Sequence, residues 1–425
     1  MKVLWLSNCV LTTQQTASTG TWLQTMSAEL TNKGNVELYN ITFGNVSEVT
    51  QCDCGSIGQW VVPMSKSING LPKKDIVTAI CDIAKQVSPD LIHVWGVEFY
   101  WGLLSARGIL KYPTLLEIQG LRYTCADAYY ASMSAKEILA SITLTDLIFA
   151  YRRIDRQKQS HTDWGKYEKE MLFSHEYIST QSKWVRSIIK PYCGANANIF
   201  ETKMALRPEF LASQPWQYPE PSGTIQLLSI TSMAVPYKGV HMALKAVALL
   251  KERYPLIKLK LVGDYMQQRS NLRKIGYVRF LERLIKKLGI KENVEFVGPM
   301  SAPELVREMH KSHAVVHSSF VESYSLSLAE SMAVGVPCVI SYAGGMIELA
   351  EDEVSGLFYS PSDYRECASQ IERLILDKEL SLKISLSAYK LARERNCTDD
   401  VIATQLEIYS TVLEMTKKSN RWKGL

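Results

Sequence analysis

Residues 320–349, FVESYSLSLAESMAVGVPCVISYAGGMIEL, constrain the fold more than any other part of the sequence. The apolar run Ala314-Val315-Val316 just before them reads as a buried strand. Ser325 and Ser327 are N-cap residue types, and Leu328, Met332 and Val334 follow at helical spacing. Gly335 and Pro337 stop that helix. Cys338-Val339-Ile340 then reads as a second short buried strand, and Gly344-Gly345 as the opening of another helix. Two strand ends, each followed by a helix start, belong to a parallel α/β sheet. Free N–H groups and the helix dipole at each start favour an anion there, above all a phosphate.

Two acids bracket the first of these turns. Glu322 and Glu330 are eight positions apart, roughly 12 Å if helical at about 1.5 Å per residue. Carboxylates accept hydrogen bonds from paired hydroxyls, so the two could hold the ends of a nucleotide-sugar with its diphosphate over the helix start. Taken singly, Glu330 reads as an ordinary helix-start acid and Glu322 as a solvated loop acid. Taken with Gly335-x-Pro337 and Gly344-Gly345-Met346-Ile347-Glu348, they form a dense pattern. It resembles that of the GT4 family of retaining glycosyltransferases. The resemblance implies an α/β, GT-B architecture: two Rossmann-like doubly wound domains facing a central cleft.

Length and composition agree with such a chain. At 425 residues the natural expectation is two domains. An apolar share of 46% and a charged share of 21% mark a globular protein, and a net charge of +5 is too small to argue for nucleic acid. It leaves peripheral attraction to an anionic membrane face open. Nine scattered cysteines, with only Cys52-x-Cys54 close-spaced, complete no zinc site and read as reduced thiols of a cytoplasmic protein. No apolar run is long enough to span a membrane. The opening MKVLWLSNCV is too short for a signal peptide and reads as a first buried strand.

Alternating strands (3–6, 91–94, 114–118, 176–179) and helices (22–30, 183–189) predict a first domain over residues 1–207. Four prolines, Pro208, Pro215, Pro219 and Pro221, mark 208–223 as a stiff linker. A second alternating series fills 224–395, with strands at 224–230, 258–262, 294–297 and 314–317. Residues 396–425 are expected as a terminal helix crossing back to the first domain, as in GT-B proteins. Parallel sheets bind ligands at their carboxyl ends. That places the Gly20 loop, the His93 strand end and Glu117-Ile118-Gln119-Gly120 on the functional edge.

The resemblance also implies roles. Lys238, in Pro236-Tyr237-Lys238-Gly239, would hold the diphosphate, although a Lys-Gly before a helix is ordinarily a surface turn. Gly20, Gly263, Met300, Glu322, Ser325, Leu326, Ser327, Glu330 and Gly345 join it as donor-binding positions, with Glu322 and Lys238 catalytic. His93 and Gln119 fall on the acceptor side. The chain departs from the family at four points. A single glycine stands in the first loop, Gln119 replaces a histidine, the arginine ahead of Lys238 is absent, and Ser325 stands where a glycine is usual. Gln119 cannot transfer a proton. A retaining mechanism in which the departing phosphate takes the acceptor's proton does not need it to. No Asp-x-Asp motif is present, so neither metal nor cofactor is expected. The implied reaction moves a sugar from a nucleotide-sugar donor to a glycan or lipid-linked acceptor in cell-surface polysaccharide biosynthesis. A GT-B epimerase and a non-catalytic nucleotide-sugar-binding relic are the alternatives. A dehydrogenase lacks its G-x-G-x-x-G after the first strand. The basic run 151–158 could meet acidic lipid or be a solvated helix face.

Overall fold

The computed structural model describes residues 1–12, 22–33, 36–142, 146, 148–219, 223–266 and 274–422, without the side chains of 152 and 419–422. The chain divides into two compact units. Unit 1 comprises Met1–Tyr123, Trp164–Ala205 and Asn396–Leu425, and unit 2 comprises Thr124–Asp163 and Leu206–Arg395.

In unit 1 the strands are β1 (Lys2–Leu6), β2 (Glu37–Gly44), β3 (Thr50–Gln51), β4 (Gly58–Pro63), β5 (Leu91–Trp95), β6 (Thr114–Ile118), β7 (Tyr177–Thr180) and β8 (Asn198–Glu201). They run in the order β3-β4-β2-β1-β5-β6-β7-β8, parallel except for the β3–β4 pair. β5, β6 and β7 are buried along their whole length, as expected of central strands covered on both faces. The terminal helix Thr398–Trp422 belongs to this unit: the Trp5 indole donates to the Tyr409 hydroxyl at 3.1 Å.

In unit 2 the strands are β9 (Gln226–Met233), β10 (Lys258–Asp264), β11 (Val294–Gly298), β12 (Ala314–His317), β13 (Cys338–Ser341) and β14 (Leu357–Tyr359). Their order, β11-β10-β9-β12-β13-β14, is the doubly wound 3-2-1-4-5-6 arrangement, all parallel. The order reverses between β9 and β12, and the crevice outside their carboxyl ends is where such sheets take ligands.

Two expectations are corrected here. Pro208–Gly223 is not a free connector. Pro208–Leu211 is a short helix, Phe210 and Trp216 are buried, and Trp216 donates its amide to Val334 O at 3.0 Å and its indole to Ser312 O at 2.9 Å. Two aromatic anchors fix the stretch on unit 2 despite its prolines. Residues 124–163, counted with the first domain from the sequence, pack on unit 2. His241 explains much of this. Its Nε2–H donates to Ala131 O at 2.9 Å, so its Nδ1 accepts from the Tyr277 hydroxyl at 2.8 Å. Arg279 and Asp146 add a buried ion pair, and Lys245 bonds Glu137 at 2.8 Å. No described helix is long and apolar enough to cross a membrane.

Candidate functional site

At the β9–β12 switch point two turns are laced together. Pro236–Lys238 forms a 3-10 turn after β9, and residues 318–325 form the loop after β12. The Phe320 amide donates to Tyr237 O at 2.8 Å, and Ser318 Oγ to Lys238 O at 2.9 Å. Gly239 closes the turn at φ +67°, where a Cβ would lie 1.8 Å from Ser318 O, so no other residue fits without moving backbone. The lacing carries Lys238 to Glu322: Nζ donates to Oε1 at 2.5 Å, and Ser319 Oγ donates to the same oxygen at 2.8 Å. The two side chains are 21% and 17% exposed, so the pair is screened only in part. Glu322 Oε2 has no partner among the described residues.

The Glu322 loop is clamped from its other side by the turn after β13. The Gly345 amide donates to Glu322 O at 2.8 Å. Gly344, at φ +54°, lies so close that a Cβ would meet Glu322 O at 2.1 Å. The sequence suggested a helix here with its amides open to an anion. Instead Gly344–Glu348 is a five-residue 3-10 turn whose Gly345 N–H is spent on positioning the loop.

The helix Leu326–Val334 does start where expected, and Gly335 ends it at φ +87°. Ser325 occupies the N-cap position at φ +83° and ψ +82°, a conformation suited to glycine, and its side chain caps nothing. Its hydroxyl sits 3.4 Å from that of Ser327. Holding a residue with a Cβ there costs about 1 kcal/mol or more. The first turn carries no acid, and helix geometry leaves the amides of Leu326 and Ser327 without intrahelical acceptors.

Glu330 has a different environment from Glu322. It is 4% exposed, and both oxygens are taken by Arg207, Nε to Oε1 at 2.7 Å and Nη2 to Oε2 at 2.8 Å. Burial raises its pKa, and the Arg207 fork pulls it partly back. Sequence reasoning gave the stretch containing Arg207 no role. Its one local signal is the following Pro208, which keeps Arg207 extended at φ −65° and ψ +138° just before a helix. Gly263, at φ +135°, is a packing glycine, for a Cβ would lie 1.7 Å from Thr231 O. Met300 is partly exposed between β11 and the helix Ala302–His310. Gly20 lies outside the described residues.

Unit 1 places its two candidates apart from such ion pairs. His93 is fully buried inside β5, with Nδ1 2.7 Å from the Tyr409 hydroxyl and its ring 3.9 Å from that of Trp95. Burial holds its pKa well below the ordinary value, so the ring is a neutral core group. Gln119 follows β6, and its Nε2 is buried without a partner. Of the unit 1 carboxyls with raised pKa, Glu117 was placed by the sequence on the functional edge, whereas Glu98 and Glu168 escaped sequence reasoning. Burial pushes Glu98 and Glu117 up to about 7 and Glu168 up to about 8. Glu168 also receives the Arg122 amide at 2.6 Å and the Tyr123 amide at 3.0 Å. Glu117 receives the Ser179 hydroxyl.

Comparison with known proteins agrees with this geometry. Residues 213–391 match the family described as Glycosyl transferases group 1. An uncharacterized glycosyltransferase of Methanocaldococcus jannaschii is 27% identical over 42% of this chain and 43% of its own length. A D-inositol 3-phosphate glycosyltransferase of Corynebacterium urealyticum is 29% identical over 43% of this chain and 42% of its own. The match thus spans under half the length of these relatives. In fold, sucrose-phosphate synthase of Thermosynechococcus elongatus superposes with a TM-score of 0.72 at 15% identity, over 97% of this chain and 99% of its own. Anabaena HepE, solved with UDP-glucose, superposes at 0.64 and 18% identity over the same shares. The chain has the GT-B fold of two parallel-sheet domains.

Proposed function

We propose, with residues 213–391 taken as a group 1 glycosyltransferase domain, that this chain moves a sugar from a nucleotide-sugar donor to a glycan or lipid-linked acceptor. The transfer retains the anomeric configuration, needs no divalent metal, and serves cell-surface polysaccharide assembly at the cytoplasmic face of a membrane. The observation that carries this reading is the Lys238–Glu322 pair, held by three laced turns at the β9–β12 switch point.

Breaking a sugar–phosphate bond develops negative charge on the departing nucleoside diphosphate. Lys238 is the mobile cation on hand: a donor phosphate competes with Glu322 for its ammonium, and the released carboxylate accepts sugar hydroxyls. The Leu326 and Ser327 amides, behind the Ser325 turn, receive the diphosphate. Glu330, fixed by Arg207, retains lone pairs for ribose hydroxyls, and Met300 borders the base. Gly20 and Gly263 are carried as further donor-side positions and Gln119 as an acceptor-side one, as the family resemblance implies. The departing phosphate oxygen takes the acceptor's proton, so Glu322 is not assigned as a nucleophile.

Titration of the chain with UDP, GDP, ADP and UDP-glucose, with and without EDTA, tests this. HepE binds UDP-glucose, which makes uridine nucleotides the first choice. A ligand of the folded state raises the melting temperature. Lys238→Ala is expected to weaken diphosphate binding or turnover by about 10- to 100-fold, the roughly 1.5–3 kcal/mol of one charged hydrogen bond. Unchanged affinity in Lys238→Ala, or loss of turnover on adding EDTA, overturns the reading.

A further inference from the structure

Residues 135–158 of unit 2 set exposed apolar side chains beside a surplus of positive charge. Leu139, Ile148 and Tyr151 are 68%, 78% and 68% exposed, and Phe149 is 41% exposed. Large apolar groups left open in one short stretch mark a surface that meets something other than water. Nothing in the proposed transfer reaction uses them.

Two bonds to one helix hold the stretch in place. Arg279 of the helix Gly276–Lys287 pairs with the buried Asp146, and Arg283 of the same helix donates to Ala140 O. The two arginines are one turn apart, about 6 Å along the axis. That draws Leu139, next to Ala140, and Ile148, two residues past Asp146, into one neighbourhood. Phe149 and Tyr151 follow at the 3-10 turn Ala150–Arg152, with ring centroids 6.3 Å apart.

The charges around these groups do not balance. The three acids of the stretch are each matched: Glu137 to Lys245 at 2.8 Å, Asp146 to Arg279, and Asp155 to Arg153 at 2.8 Å. Lys136, Arg156 and Lys158 meet no carboxylate among the described residues. Lys136 lies one turn before Leu139 on the short helix Ala135–Ala140, and Arg156 lies on the helix that follows Tyr151. Past Arg283, the anchoring helix ends in the exposed Lys286 and Lys287.

We infer that this face docks on an anionic lipid bilayer. Leu139, Ile148, Phe149 and Tyr151 enter the interfacial layer, and the unmatched cations meet the headgroups. Apolar tips beside a tyrosine and free Lys and Arg make an interfacial contact rather than a spanning one. A nucleic acid would satisfy the cations but leave Leu139 and Ile148 in water. The contact gives the proposed membrane face an address on the chain, and it rests on that reading for its purpose.

The test is co-sedimentation of the full chain with vesicles of phosphatidylcholine alone, or of phosphatidylcholine mixed with phosphatidylglycerol, at low and high salt. Binding is expected on the anionic vesicles, and at least about tenfold weaker on neutral ones or in high salt. Ile148→Ser with Tyr151→Ser removes apolar surface, and Lys136→Glu with Arg156→Glu reverses two unmatched cations. Each pair should lower vesicle affinity by at least about tenfold, with the melting transition and UDP binding unchanged. No binding to anionic vesicles, or equal binding to neutral ones, overturns the site. Full binding by the cation pair overturns it too. Full binding by the Ile148 and Tyr151 pair would mark a purely electrostatic surface, suited to an acidic macromolecule, and equally overturns it. A wild type that binds vesicles but not UDP would sink the transferase reading and leave this contact standing.

Discussion

In unit 2 the two acids of the candidate site each meet a cation, Lys238 with Glu322 and Arg207 with Glu330. In unit 1, on a sheet of related strand order, His93, Glu117 and Glu168 are buried and Glu98 partly buried with no such cation bonded to them, and each is pushed toward its neutral form. In one sheet each site carboxylate is bonded to a cation, and in the other the buried polar groups are not. The topology is shared, so the difference comes from side chains. A cation within hydrogen-bond reach opposes the effect of burial, as Arg207 does at Glu330, and without one burial acts unopposed.

The sharpest way to break this contrast is to remove the buried cation. Arg207→Ala leaves Glu330 unpaired at 4% exposure and should destabilise the chain by about 3–5 kcal/mol in urea unfolding. Arg207→Met with Glu330→Leu should recover most of that loss. If Arg207→Ala unfolds like the wild type, the pair is not what keeps Glu330 charged. Gly344→Ala comes next. Its Cβ would collide with Glu322 O, so a loss of about 3 kcal/mol is expected, together with weaker diphosphate binding as the loop shifts.

The unit 1 half of the contrast is read by pH. Glu117 titrates near 4.5 when unfolded and about 7 when folded, so the native state holds the proton more tightly. That contribution is intact below about pH 4.5 and is lost as pH rises toward 7. Glu117→Gln keeps the neutral hydrogen bonding, so it should gain on the wild type across that window, by about 3 kcal/mol at its upper end. A constant difference at all pH values would show that Glu117 is ionised in the fold. The smallest effect is expected from Ser325→Gly, which removes the Cβ at φ +83° and should stabilise by about 1 kcal/mol in thermal unfolding.

Much of unit 2 was legible because its meaning is local. Strand ends, the helix stop at Gly335 and the Lys238-Gly239 turn each declare themselves within a few residues. Ser325 shows the limit of this: its type marked the right N-cap position but hid a backbone conformation that a capping serine does not adopt. Arg207 was illegible because its partner lies 123 residues away, and nothing near it announces an ion pair. Residues 124–163 were misassigned for the same reason, since His241 and Ala131 meet across 110 positions. The 208–223 stretch was read from its prolines, whereas Phe210 and Trp216 decide where it packs. His93 carried the composition of a strand-end ligand, but burial makes it part of the core.

The bond from Trp5 to Tyr409 joins positions 404 residues apart. On a ribosome, which releases the chain from its amino end, the first unit cannot be completed until its last helix has emerged. By then all of Leu206–Arg395 has been made. The second unit likewise waits with Thr124–Asp163 in hand until its own sheet arrives. The second unit can therefore finish while the first still waits for its terminal helix, so chaperone demand during synthesis should fall on an unfinished first sheet.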